Sequence, residues 1–309
     1  MTFLRVLNKP HYVFRPRQAL VRLRSGRLST TVPRDVLVRL PWGLDLMVQT
    51  TDAVGHVVER TGVFDPAVSE TVLRLADPGD LAVDVGANVG YMTSLLAVGL
   101  GATGKVICFE PQPDVRGALV ENVKRWKDQG LIAEIEVRSE ALSSRSGIGY
   151  MTRAPLGHSR DGQRLQDGES VGIADTFEVP LVALDEMLDR DARVGVLKVD
   201  VEGHELDVLL GSEGLLRRGA IRDILVEEHG TYPTPVTNLL ERHGYALFKL
   251  DHSLFGPWTG AASSSRQTMT DQSFLATLDP RRARDRLKKR GWMIFRPGGR
   301  RRRGRVTGS

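Results

Sequence analysis

The sequence predicts an α/β fold in which a mostly parallel sheet carries helices on both faces. Three observations predict it. Short, uniformly apolar runs, LAVDVG (81–86), VICFE (106–110) and VGVLKVD (194–200), suit strands buried on both sides. Stretches with helical apolar spacing lie between them, and strand-helix alternation at that interval requires right-handed crossovers. Gly and Pro clusters such as Pro78-Gly79-Asp80 mark where elements stop.

In chain order, VLVRL (36–40) and LDLMV (44–48) flank Pro41-Trp42-Gly43 and predict a hairpin ahead of the main fold. Helical spacing follows over 53–60 and 66–76. After the strand at 81–86, a helix is expected over 89–99, stopped by Gly101 and Gly104. The strand at 106–110 leads to a helix over 113–128, then to a strand and its exit at 135–142. Residues 153–176 are too long and polar for an ordinary connection and are expected to cover a site. The strand at 194–200 is followed by helical ELDVLLGS, a strand at 223–229, a helix near 236–243 and a strand at 245–250.

The chain has 309 residues, 43 of them Lys or Arg and 38 Asp or Glu, for a formal net charge of +5. Its apolar fraction of 41% is enough for a core, which excludes wholesale disorder. The single cysteine, Cys108, excludes an intramolecular disulfide framework and a cysteine-cluster zinc site, and its place between Ile107 and Phe109 marks it as core. Residues 1–34 hold eight Lys/Arg and no acid, and residues 280–309 hold thirteen against Asp285 alone. The +5 total therefore leaves residues 35–279 at −15. Four segments are expected: a basic arm (1–34), a hairpin and helical lead-in (35–78), the main domain (79–279) and a basic, disordered tail (280–309). The basic ends suit contact with an anionic membrane surface. No run approaches the roughly 18 apolar residues of a membrane span, and the chain is expected in the cytoplasm, peripheral to a membrane at most.

The first strand-helix junction reads Asp84-Val-Gly86-Ala-Asn88-Val-Gly90-Tyr91-Met-Thr93. Glycines at a strand end, followed by a helix start with unpaired N–H groups, suit a nucleotide-binding turn. The string lacks the second glycine of G-x-G-x-x-G, and the chain has no P-loop. Asp84 at the strand tip would repel a pyrophosphate but suits a cationic ligand. Glu110 ends the next strand, where an acid accepts from both ribose hydroxyls. Together these point to S-adenosylmethionine (SAM).

Asp84-Val-Gly-Ala-Asn-Val-Gly-Tyr, Phe109-Glu110-Pro111, Leu184-Asp185 and Leu197-Lys-Val-Asp-Val-Glu-Gly-His-Glu205 resemble the FkbM family of SAM-dependent methyltransferases over residues 55–250. The resemblance implies a class I, Rossmann-like fold: a seven-stranded, mostly parallel sheet with an antiparallel final hairpin. It also implies O-methyl transfer to hydroxyls of sugars, polyketides or related natural products. Gly86, Asn88 and Gly90 would then line the methionine portion, with Asp84 near its amino group and Tyr91 and Thr93 closing over its tail. Glu110 takes the ribose, and Glu140, Ala141 and Leu142 fall where adenine sits.

Asp200 and Glu202 follow the fourth strand on the acceptor side. A carboxylate or histidine there can accept the hydroxyl proton, so Asp200, Glu202 and His229 are the main candidates, beside His204, Glu227 and Glu228. Lys198 alternates with Asp200 and can pair with an acid or with the acceptor. The same acids could hold Mg²⁺, although Glu227-Glu228-His229 stands where metal-dependent relatives carry Asp-Asn, so a metal is not favoured. The chief alternative is an RNA or other nucleic-acid methyltransferase using the Arg-rich ends. Against it, Asp-Val-Glu-Gly replaces the [DNS]-P-P-[FY] string of amine methylation, Ile107 precedes the only cysteine, and the body is acidic.

Overall fold

The computed structural model describes residues 33–130, 132–152, 165–167, 176–228, 230–264 and 273–295. The basic arm expected at 1–34 lies almost wholly outside these residues. So do most of the polar segment 153–176, His229 and the chain after Phe295.

The hairpin is β1 (Asp35–Arg39) and β2 (Asp45–Gln49), paired antiparallel. Helix α1 (Ala53–Thr61) starts where the Asp52 carboxylate accepts from Gly55 N, and stops at Gly62 in the left-handed region. Helix α2 (Pro66–Leu75) begins with a proline at its first turn, where the missing N–H costs nothing. Strand β3 (Leu81–Val85), α3 (Tyr91–Leu100), β4 (Lys105–Phe109), α4 (Pro113–Trp126) and β5 (Glu134–Arg138) form the first half of the alternating fold. The strand expected at 135–142 divides at Ser139-Glu140, and β6 (Ala141–Leu142) departs into another sheet. That sheet is completed by β7 (Gly147–Thr152), β8 (Leu165–Asp167) and β9 (Thr176–Val182). The second half comprises α5 (Leu184–Met187), β10 (Val194–Val199), α6 (Glu205–Leu210), α7 (Glu213–Arg217), β11 (Ile221–Glu227) and α8 (Pro235–Arg242). It ends with β12 (Ala246–Ser253), β13 (Gly256–Ala261), β14 (Ser273–Thr277) and α9 (Pro280–Leu287).

The main sheet runs β13-β12-β14-β11-β10-β3-β4-β5. Strands β5, β4, β3, β10 and β11 are parallel, and β14 lies antiparallel between β11 and β12. The expected mostly parallel sheet is therefore present with one strand more than seven, because β13 returns along β12 and extends the edge. The chain moves outward from β3 to β5 and then crosses back to β10. This places a switch point between β3 and β10, where open α/β sheets form ligand crevices at their carboxyl ends.

Two large apolar clusters cover the two faces of the sheet. The lead-in belongs to the first: Leu40, Trp42, Leu44 and Leu46 pack with Tyr91, Leu95, Leu119 and Trp126. Polar bonds stitch it down as well. Asn122 Nδ2 donates to Met47 O and Val89 O, and Trp126 Nε1 donates to Asp45 O. Residues 35–78 thus share their core with the domain that follows.

The expectation of a disordered tail from 280 fails for residues 280–295. Asp279 caps α9 by accepting from Arg282 N, and Trp292, Ile294 and Phe295 are buried beyond it. The apolar burial of Ile294 and Phe295 alone contributes about 1.5–3 kcal/mol each. A pair on α2 receives this segment. Arg74 and Glu70 are buried and bonded at 2.6 Å. Arg74 donates to Arg286 O, Lys289 O and Gly291 O, while Glu70 accepts from Met293 N and Ile294 N. Carbonyls at a helix end have no partner within the helix, and Arg74 supplies one. Acids elsewhere in the fold compensate the basic run. Arg282 bonds Asp77 and buried Asp223, and Arg286 bonds Asp77.

Candidate active site

A cavity of about 550 Å³ opens at the carboxyl ends of β3, β4, β10 and β11. That volume lies inside the roughly 300–1,000 Å³ typical of small-molecule sites. Of the residues expected to bind cofactor or act on the acceptor, Gly86, Asn88, Tyr91, Glu110, Ala141, Leu142, Asp200 and Glu202 line it, as do Lys198, His204 and Glu227. Asp84, Gly90, Thr93, Glu140 and Glu228 do not, and His229 is outside the described residues.

Each absence has a physical reason. Asp84 is fully buried behind the wall, where Thr93 Oγ1 donates to it at 2.6 Å and Lys198 Nζ lies 3.5 Å away. A Cβ on Gly90 would meet Leu119 and Trp126, so this glycine serves the packing of α3 against α4. Glu140 is held by Arg138 at 2.7 Å and by Ser139 N, which turn it away from the cavity. Glu228 accepts from Gly230 N and Thr234 Oγ1 ahead of α8. Gly86 is in the left-handed region, φ 75°, and a Cβ there would fall 1.9 Å from Asp200 O. Its smallness lets the β10 exit lie against the β3 turn, which brings the two halves of the site together.

The turn after β3 is organised by Glu110. Its Oε2 accepts from Asn88 N at 2.9 Å and its Oε1 from Gln112 N at 3.0 Å. Asn88 itself has φ 51°, a conformation Asn tolerates better than most residues, and its side chain accepts from Val89 N. Each Glu110 oxygen keeps lone-pair capacity for a ligand hydroxyl. The Tyr91 ring borders the cavity, while its hydroxyl bonds Phe64 and Ser69 and its edge meets Trp42. Tyr91 therefore packs and lines at once.

On the opposite wall, Lys198 Nζ is 3.2 Å from Asp200 Oδ2 and donates to Gly86 O at 3.0 Å. Burial disfavours its charge, but the fields of Asp200 and Asp84 outweigh burial and hold the ammonium pKa above its ordinary value. Lys198 is the only Lys or Arg among the described lining residues, set against Glu110, Asp200, Glu202 and Glu227. His204 Nε2 lies 3.0 Å from Ser143 Oγ. Among the described residues no group of three or more His, Cys, Asp or Glu is arranged to hold a metal ion. Cys108 is buried in β4 as expected, and burial pushes its thiol pKa up.

Sequence reasoning missed the contributions of Val54 and Phe64 from the lead-in and of Met151 from β7. Beside Phe64, Asp65 caps α2 with φ 28° while accepting from Ala67 N and Val68 N. Burial raises its carboxyl pKa to about 6 despite those bonds, with Asp200 and Asp251 adding repulsion. Because the folded state then holds the proton more tightly than the unfolded chain, stability falls as pH rises from about 4 through 6. Asp65→Asn keeps a cap acceptor without the charge. It should raise stability by about 1–3 kcal/mol near pH 7.5 and by little near pH 4. Urea midpoints at the two pH values check this, and an equal difference at both would contradict it.

Residues 84–247 match the family described as the Methyltransferase FkbM domain, which is just over half of the chain. Hexuronic acid methyltransferase AglP of Haloferax volcanii is 29% identical over 223 residues, covering 71% of this chain and 84% of that protein. The 31-O-demethyl-FK506 methyltransferase FkbM of Streptomyces tacrolimicus is 26% identical, covering 58% and 77%. Among solved structures, a SAM-dependent O-methyltransferase from Thermotoga maritima is 15% identical with a TM-score of 0.42, covering 72% of this chain and 70% of that one. Methyltransferase FkbM from Methylobacillus flagellatus is 16% identical with a TM-score of 0.40. There the match takes in 64% of this chain but only 43% of the other. With the glycine turn, the acid at the tip of β4 and the Asp200-Val-Glu202-Gly exit in one cavity, the chain belongs to the FkbM family of SAM-dependent methyltransferases.

Proposed function

We propose that this enzyme methylates a neutral hydroxyl of a sugar, polyketide or other natural-product or glycolipid acceptor. The observation that carries the proposal is the acidic acceptor wall formed by Asp200, Glu202 and Glu227, on which Lys198 is already paired. Such a wall repels a carboxylate or phosphate acceptor and receives hydroxyl hydrogens. Of the relatives' printed activities, that on 31-O-demethyl-FK506 supports a hydroxyl acceptor, whereas a hexuronic acid supports the sugar class but carries a carboxylate that this wall disfavours.

The residues suit SAM. Glu110 offers two fixed oxygens for the ribose, Leu142 and Ala141 offer an apolar wall for the adenine, and Gly86 and Asn88 border the methionine portion. When bound, SAM supplies a methyl group on a positively charged sulfur that leaves as a neutral thioether. The protein aligns the acceptor oxygen and accepts its proton. Supporting Asp200 in this role, it lines the cavity and has one oxygen 3.2 Å from the Lys198 ammonium.

Glu110→Ala should weaken SAM binding at least tenfold in calorimetry, because two charge-assisted bonds are lost and Asn88 N and Gln112 N lose their acceptor. Unchanged affinity would remove the ribose assignment. Acceptor class is tested with methyl-labelled SAM and a panel of sugars, polyketides, uronic acids and RNA. Base-stable label, a methyl ether, is expected on a hydroxyl acceptor. Base-labile label or RNA as the sole acceptor would overturn the proposal.

A further inference from the structure

The largest exposure of any bulky apolar side chain among the described residues is at Phe255, 63% open to solvent. It occupies the turn between β12 and β13, where Ser253 pairs with Gly256. The chain after α9 is fastened against this turn. Gly291 N donates to Phe255 O at 2.7 Å and Trp292 Nε1 to Leu254 O at 3.1 Å. A Cβ on Gly256 would lie 3.2 Å from Gly291 O and 3.6 Å from Lys289 O. The exposed residues Lys288, Lys289 and Arg290 are thereby held beside the exposed phenyl ring. Of nearby acids, Asp285 is bonded to Lys288, while Asp251 is buried beneath the turn.

The register of the sheet fixes where this tip projects. Lys249 pairs with Phe274, which pairs with Val226 near the carboxyl end of β11. Strand β12 continues four residues beyond Lys249, and sheet twist carries this extension over α2, where a Cβ on Gly256 would lie 3.9 Å from Arg74 Nη2. Two strand spacings, about 10 Å, separate β12 from β11. The tip gathers around Arg74 near the carboxyl end of α2, which bonds Lys289 O and Gly291 O, while Phe64 at the opposite end of that helix borders the cavity.

We propose that the tip formed by Phe255 with Lys288, Lys289 and Arg290 is a docking surface for an anionic lipid bilayer. An exposed ring flanked by cations suits a bilayer interface, where the ring enters the headgroup boundary and the long basic stems reach to lipid phosphates. Each such cation adds to the attraction of an anionic surface. A nucleic acid fits less well, because a phosphate backbone needs an extended basic track. The cations here are only three consecutive exposed residues, 288–290.

Flotation of the full chain with phosphatidylcholine vesicles, with and without phosphatidylglycerol, tests the surface without SAM or acceptor. A failure here is therefore distinct from a failure of the methylation reading. The unaltered chain should partition onto the anionic vesicles. The combined Phe255→Ser, Lys289→Glu and Arg290→Glu substitutions should weaken partition at least tenfold. Leu37→Ser, at an exposed apolar residue elsewhere, should not. Residues 296–309 are present in every version, so the difference reports the tip. No partition by the unaltered chain, or partition that survives the triple substitution, would overturn the proposal. Loss of RNA binding by the triple variant with vesicle partition unchanged would overturn it in favour of a nucleic-acid surface.

Discussion

Asp200→Asn should lower kcat by about 10²–10⁴ while SAM affinity stays within roughly threefold of the unaltered enzyme. The expectation rests on position. Asp200 lines the cavity after β10, and Lys198 holds one of its oxygens at 3.2 Å. Asn preserves shape and can still accept from Lys198, but it cannot take up a proton at neutral pH. Lys198 keeps Asp84 as a partner, so the glycine turn should survive and cofactor binding with it. Retained turnover would clear Asp200 of proton transfer and shift attention to Glu202 or Glu227.

Arg74→Ala should destabilise the fold by about 3–5 kcal/mol, the usual cost of stripping one partner from a buried pair. It leaves the Glu70 carboxylate buried without its cation, and it removes the donor for Arg286 O, Lys289 O and Gly291 O. Melting should fall by roughly 6–15 °C for a domain of this size. Trypsin should cut within residues 281–290 before the rest of the domain. Arg74→Lys should recover only part of the loss, because a single ammonium cannot reproduce a fork that bonds Glu70 and several carbonyls together. A melting point shifted by under about 2 °C would mean that the segment docks through Trp292, Ile294 and Phe295 alone.

The elements most legible in the sequence were those whose pattern has one physical solution. LAVDV and VGVLKV are apolar at nearly every position, so they had to be central strands, and they are β3 and β10. The Pro-initiated helices at 66, 113 and 235 were likewise visible. The fate of residues 280–295 was not. PRRARDRLKKR reads as repelling charge unless Asp77, Asp223 and the Glu70-Arg74 pair are known to face it, and those contacts cross 59 positions to Asp223 and more than 200 to Asp77 and Glu70. The acidic body and basic end that the composition separated are partly one interface.

In the site, the turn residues Gly86 and Asn88 and the acids Glu110 and Asp200 meet because a strand-helix repeat puts successive tips on one edge. Gly90 and Thr93 were less legible. A glycine that admits a ligand and one that admits Trp126 look alike in sequence, as do a hydroxyl facing a cavity and one bonded to Asp84. The contribution of Phe64 depended on the lead-in folding back over α3, which the Tyr91 bond to Phe64 records.

Glu110 is proposed to hold SAM in the cavity at the carboxyl edge, with the methyl group directed at Asp200. A crystal structure of the chain with S-adenosylhomocysteine tests it most directly. The account predicts the ribose hydroxyls on Glu110 Oε1 and Oε2, the adenine against Leu142, and the sulfur facing the wall that carries Asp200. Ribose bound away from Glu110, or a sulfur turned from Asp200 toward α4, would contradict it.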